Sequence, residues 1–199
     1  MVKKILIVTG DGGECYEVLY AYHRFQEAGL TPVLAAPSKR LLNLVMHDFE
    51  PGWDTYVERP GYRMPADITI AEADPDDFEA ILLIGGRAPE YLRNDPALRG
   101  LVRAFDEAGK WIFAICHGIQ IVTAAGSAKG RRLTCYEHVR WEVEAAGGVF
   151  VPRQCVRDGN MVSAQTWQDH PAFFREVFAC LDAVPAGAVK ERAAATPAA

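Results

Sequence analysis

The segment Lys3–Thr9, KKILIVT, is apolar without alternation, which is the pattern of a strand covered on both faces. Such strands belong to parallel sheets with helices on either side. The next residues agree with that. Gly10, Gly12 and Gly13 supply a turn, Glu14–Ala28 carries a helical repeat of Val18, Leu19, Tyr22 and Phe25, and Gly29 ends it. Thr31–Pro37, TPVLAAP, reads as a second strand, and a strand–helix–strand unit needs a crossover that leaves its strands parallel. The rhythm returns in FEAILLIGG (Phe78–Gly86), in a helix over Pro96–Ala108 behind an Asn94-Asp95 cap, and in the strand Trp111–Ile115. A helix over Tyr136–Ala146, two antiparallel strands around Asp158-Gly159 and an amphipathic helix from His170 complete the pattern. The fold class is α/β, a three-layer sandwich around a mainly parallel sheet.

With 199 residues the chain accommodates one domain, read here as residues 1–182. Residues 38–64 form an irregular excursion, open between a hairpin and a lid. Residues 183–199, rich in Ala and Pro, read as a disordered tail. A formal net charge of −5 argues against nucleic acid or an anionic membrane as the partner. No apolar stretch approaches the roughly 20 residues of a membrane span, and nothing at the N-terminus looks like a signal peptide, so the reading is cytoplasmic. Cys15, Cys116, Cys135, Cys155 and Cys180 are odd in number and lack metal-binding spacing; they read as free thiols without a metal. Gly10-Asp11-Gly12-Gly13 lacks the full dinucleotide fingerprint, and no cofactor is called for.

The chemistry concentrates at WIFAICHG (Trp111–Gly118), where an apolar strand breaks at Cys116 and a helical pattern, IQIVTAAG, begins. Ala114-x-Cys116-x-Gly118 has the small-x-nucleophile-x-small spacing of a nucleophile elbow. At such a corner the helix N-terminus favours a thiolate, so Cys116 is the candidate nucleophile; the competing reading is a buried core cysteine. His117 is a candidate acid or base, and Glu14 a candidate proton shuttle beside the sulfur or else a simple helix-start acid. Gly85 and Gly86 allow close backbone approach, and the N–H groups of Gly86 and His117 are candidates for an oxyanion hole. In α/β sheets ligands bind beyond the carboxyl ends of the strands, where these segments converge.

GGRAPE (Gly85–Glu90), AICHG (Ala114–Gly118) and KGRRLTCYEHVRWEVEAAGG (Lys129–Gly148) resemble the PfpI/ThiJ superfamily over nearly the whole chain, from Val2 to about Leu181. MHDFEPGWDTYVERPGYRM (Met46–Met64) is similar to the insertion of the branch with plant glyoxalase III-type proteins. The resemblance implies a flavodoxin-like, glutamine-amidotransferase-type sandwich. It implies Cys116 as nucleophile, Glu14 as the acid bonded to the sulfur, His117 as its neighbour, and Glu90 reaching that histidine from another subunit of a homo-oligomer. The implied activity is a cofactor-independent glyoxalase that takes a small dicarbonyl to a 2-hydroxy acid. Alternatives are a peptidase, amide hydrolase or deglycase of the PfpI type, and a redox-sensing stress protein without enzymatic activity.

Overall fold

The computed structural model describes residues 3–182; the expected tail lies outside the described residues. In chain order the elements are β1 (Lys4–Val8), α1 (Cys15–Glu27), β2 (Thr31–Ala36), β3 (Leu41–Asp48), β4 (Val57–Pro65), β5 (Ile68–Thr69) and β6 (Ala80–Leu83). They continue with α2 (Ala88–Leu92), α3 (Pro96–Glu107), β7 (Trp111–Ile115), α4 (Ile119–Ala125), β8 (Arg132–Leu133), α5 (Arg140–Ala145), β9 (Val149–Phe150), β10 (Cys155–Asp158), β11 (Met161–Ala164) and α6 (His170–Asp182). Seven strands form one sheet in the order β10-β11-β7-β6-β1-β2-β5. Every pairing in it is parallel except β10 with β11, which turn back on each other at Asp158-Gly159.

The central strands have no polar face. Ile5–Val8, Ala80–Leu83 and Ile112–Ile115 are buried throughout, with α1, α3 and α4 among the helices that cover them. Burying each large aliphatic side chain there contributes about 1.5–3 kcal/mol. Helix α1 turns Val18, Ala21 and Phe25 into that core, while Leu19 and Tyr22 are only half-buried. The same inward stripe carries a charge, Glu17. The Tyr136–Ala146 segment is shorter than its repeat suggests, with a 3₁₀ turn over Glu137–Val139 and an α-helix only from Arg140.

The irregular excursion is a hairpin. Strand β3 pairs antiparallel with β4 from Leu41↔Pro65 to Asp48↔Val57, with a bulge between Asn43 and Val45. It is latched to the turn after β1 by Gly12 N–H donating to Asn43 O at 2.9 Å and Val45 N–H to Gly13 O at 2.9 Å. The hairpin therefore sits beside the carboxyl ends of the central strands. No helix among the described residues is long and apolar enough to cross a membrane.

Candidate active site

Strand β7 ends at Ile115 and the chain turns at once. Cys116 has φ = 57°, making it the one non-glycine residue with positive φ among those described. Holding a side chain in that region costs on the order of 1–3 kcal/mol, and the cost is borne where the packing over-determines the turn. A short 3₁₀ turn, Cys116–Gly118, then leads into α4. Beneath it, a Cβ on Gly85 would lie 2.6 Å from Cys116 Cβ and 2.8 Å from Glu17 Oε2, so only glycine fits. Gly86 has φ = 74°, and its backbone presses against Gly12 and Glu14.

The acid against the sulfur is Glu17, not Glu14. Glu17 is 1 % exposed; its Oε2 accepts from Gly85 N–H at 2.7 Å, and its carboxyl lies beside Cys116, both packed against Gly85. Its other oxygen, Oε1, is buried and makes no hydrogen bond among the described residues. Glu14 instead caps α1, accepting from Tyr16 N–H at 3.1 Å, and turns its second oxygen to His47, whose backbone N–H is 3.0 Å away and whose Nδ1 is 3.2 Å away. The reason is local. An N-cap carboxylate folds back onto the first free amides, whereas a residue three positions on projects along the helix face that meets the sheet. Gly85 allows the close backbone approach expected of it. Its N–H is taken by Glu17, while the backbone N–H groups of His117 and Gly86 are the ones that favour a charged sulfur at Cys116.

Burial pushes the Glu17 carboxyl well above the ordinary carboxylate range, and the nearby Glu14 adds to this. Burial also pushes the Cys116 thiol up, with Glu17's charge second, against the two backbone N–H groups that favour a thiolate. Cys116, only 8 % exposed, thus shares a buried site with a carboxyl. Each group opposes the other's charge, so the two titrate as a pair that tolerates one negative charge. His117 Nδ1 lies 3.3 Å from the sulfur. Burial lowers the imidazole's pKa to about 4, so it is neutral at ordinary pH and takes or gives a proton according to tautomer.

The hairpin roofs this pair. The ring of Tyr56 is 5.9 Å from that of His117, Tyr136 is 5.2 Å from His117, and Tyr136 Oη meets Thr55 Oγ1 at 3.3 Å. Sequence reasoning assigned no role to Glu17, Tyr56 or Tyr136. A carboxylate on the apolar stripe of α1 was the signal available for Glu17. Glu90 stands exposed in the first turn of α2, and its side chain makes no hydrogen bond to His117 within this chain. All five cysteines are free, and no cluster of three or more His, Cys, Asp or Glu among the described residues is placed to hold a metal ion.

The model of the DJ-1/PfpI family matches residues 3–179. The chain is 40 % identical over 184 residues to protein/nucleic acid deglycase 2 of Escherichia coli, covering 92 % of this chain and all of that one. It is 38 % identical over 174 residues to deglycase PfpI of Pyrococcus furiosus, with 87 % and 96 % covered. Protein DJ-1 homolog D of Arabidopsis thaliana is 34 % identical over 186 residues, but the match covers 90 % of this chain and only 48 % of that longer protein. Among solved structures, a cysteine-to-alanine mutant of a DJ-1 superfamily protein from Salmonella typhimurium superposes with a TM-score of 0.75 at 26 % identity, covering 93 % of each chain.

Proposed function

Because the chain belongs to the DJ-1/PfpI family, we propose that it is a cofactor-independent enzyme that converts small 2-oxoaldehydes, methylglyoxal or glyoxal, into 2-hydroxy acids. The observation that carries this reading is the buried Glu17 carboxyl set beside Cys116, both against Gly85, which brings a nucleophile and a proton carrier to one place. The reactive form is the singly ionised pair, thiolate beside carboxylic acid. Cys116 Sγ adds to the aldehyde carbon, and the new alkoxide takes the Glu17 proton to give a neutral hemithioacetal. With the sulfur now uncharged, the Glu17 carboxylate removes the hydrogen from the carbon bearing sulfur, and an enediolate forms with its charge on the second oxygen. Returning that proton to the neighbouring carbon, while the hydroxyl proton of the first carbon passes to the second oxygen, gives a thioester of the 2-hydroxy acid. Water, with His117 at hand as base, hydrolyses the thioester and restores the pair.

A deglycase reading is favoured by the names of the relatives. It uses the same attack on a dicarbonyl already attached to an amine or thiol. The depth of the sulfur favours a free, small substrate over an adduct on a macromolecule. A peptidase reading needs Glu90 from a second subunit to reach His117.

Purified protein mixed with methylglyoxal, without glutathione or added metal, tests the proposal. Lactate should form at a rate that Cys116→Ala lowers by more than about 10³-fold. No lactate above the Cys116→Ala level would overturn it.

A further inference from the structure

Tyr56 lies at the entry to β4, at the tip of the hairpin, and its position is set from below. Its ring centre is 4.0 Å from the imidazole of His47. That imidazole is fixed at both nitrogens, Nδ1 to Glu14 at 3.2 Å and Nε2 to Glu58 at 3.1 Å, and Glu58 is held in turn by Arg87 Nε at 3.0 Å. Trp167 Nε1–H donates to His47 O at 3.1 Å. The imidazole under Tyr56 is therefore held at both ring nitrogens. On its other sides Tyr56 meets His117 nearly edge-on, at 84°, and Tyr136 at 5.6 Å.

The two tyrosines of the roof differ in one respect. The hydroxyl of Tyr136 is engaged with Thr55, whereas that of Tyr56 makes no hydrogen bond among the described residues. Burial raises the Tyr56 pKa to about 12, with the charge of Cys116 next in effect, so it stays a donor at any working pH. Attack on a dicarbonyl leaves two oxygens to be received. The N–H groups of Gly86 and His117, which act on the Cys116 sulfur, would receive the oxygen of the carbon joined to it. The oxygen of the neighbouring carbon, which carries charge as the enediol forms, needs a donor from the opposite side.

We propose that Tyr56 is that donor, receiving the second carbonyl oxygen of a dicarbonyl bound at Cys116, and that its ring restricts the substrate to small side groups. This rests on the glyoxalase reading above. His47 acts through Tyr56 as a positioning residue.

Tyr56→Phe keeps the ring and removes the hydroxyl. With methylglyoxal its kcat should fall about 100-fold while KM changes less than about threefold, because the donor acts on charge that develops during reaction. Iodoacetamide should alkylate Cys116 at the wild-type rate, and the melting temperature should match wild type. Tyr56→Ala should raise the preference for phenylglyoxal over methylglyoxal about tenfold by opening the roof. A Phe variant with kcat within about twofold of wild type, or one that melts well below it, overturns the donor role; an unchanged substrate preference in the Ala variant overturns the restriction on size. A wild-type protein inactive on methylglyoxal would sink the glyoxalase reading together with this one, whereas an active wild type with an unaffected Phe variant would sink this one alone.

Discussion

Glu14 and Glu17 stand one helical turn apart at the start of α1 and are both buried, yet they belong to regions of opposite character. Glu17 is buried beside Cys116 with one backbone amide and, among the described residues, no basic partner. Glu14 begins a graded chain of alternating charge, Glu14–His47–Glu58–Arg87, that runs from a side chain 3 % exposed to one 51 % exposed. The first region keeps charge unstable, which is what a proton-moving pair requires. The second neutralises charge step by step and pins a hairpin over the site. The same residue type serves chemistry in one place and architecture in the other, and the partners decide which.

The largest effect that separates the two is on turnover. Glu17→Gln should lower kcat for methylglyoxal by about 10³-fold, the loss of a general acid–base group, while Cys116 remains alkylatable. Glu14→Gln should stay within about tenfold of wild type, since it reaches the substrate only through His47 and Tyr56. Steady-state kinetics on both variants decides the matter, and equal losses would erase the distinction.

A smaller effect lies in stability. Burial pulls the His47 pKa down, but the hydrogen bonds from Glu14 and Glu58 outweigh it and leave the value raised above 6.5. The groups facing this imidazole are Glu14 at the start of α1, Glu58 on β4 with Arg87 behind it, and the neutral Tyr56. A raised value means that the folded state holds the proton more tightly than the unfolded chain. The stabilisation is complete below pH 6.5, the unfolded value, and is lost as pH rises through the folded one. Burial opposes the Glu58 charge, but His47 and Arg87 win and lower its pKa, so its share disappears only on acidification below 4.5. His47→Ala should therefore cost about 2 kcal/mol at pH near 6 and measurably less near pH 9. Urea denaturation at the two pH values reads this directly, and a cost independent of pH would contradict it.

These two regions were not equally legible. The buried strands declare themselves because ILIV, AILL and WIFAI have no polar face, and the Cys116 corner declares itself because its neighbours are small. The choice between Glu14 and Glu17 does not, because residues three apart share a helix face and periodicity alone cannot rank them. What separates them is that one is the cap and the other lies on the inward stripe with Val18, Ala21 and Phe25. The hairpin was legible only as irregularity. Its register depends on a bulge and on hydrogen bonds to the distant Gly12–Gly13 turn, contacts that no local pattern encodes. The roles of His47 and Tyr56 follow from that register, so they appear only with the fold.

Protonation of the Glu17 carboxyl tests the account most directly. A ¹³C NMR titration of the glutamate side-chain carboxyls, assigned through Glu17→Gln, should show one resonance titrating well above the ordinary carboxylate range. Titration of Glu17 close to 4.5, as for an exposed glutamate, would contradict the account.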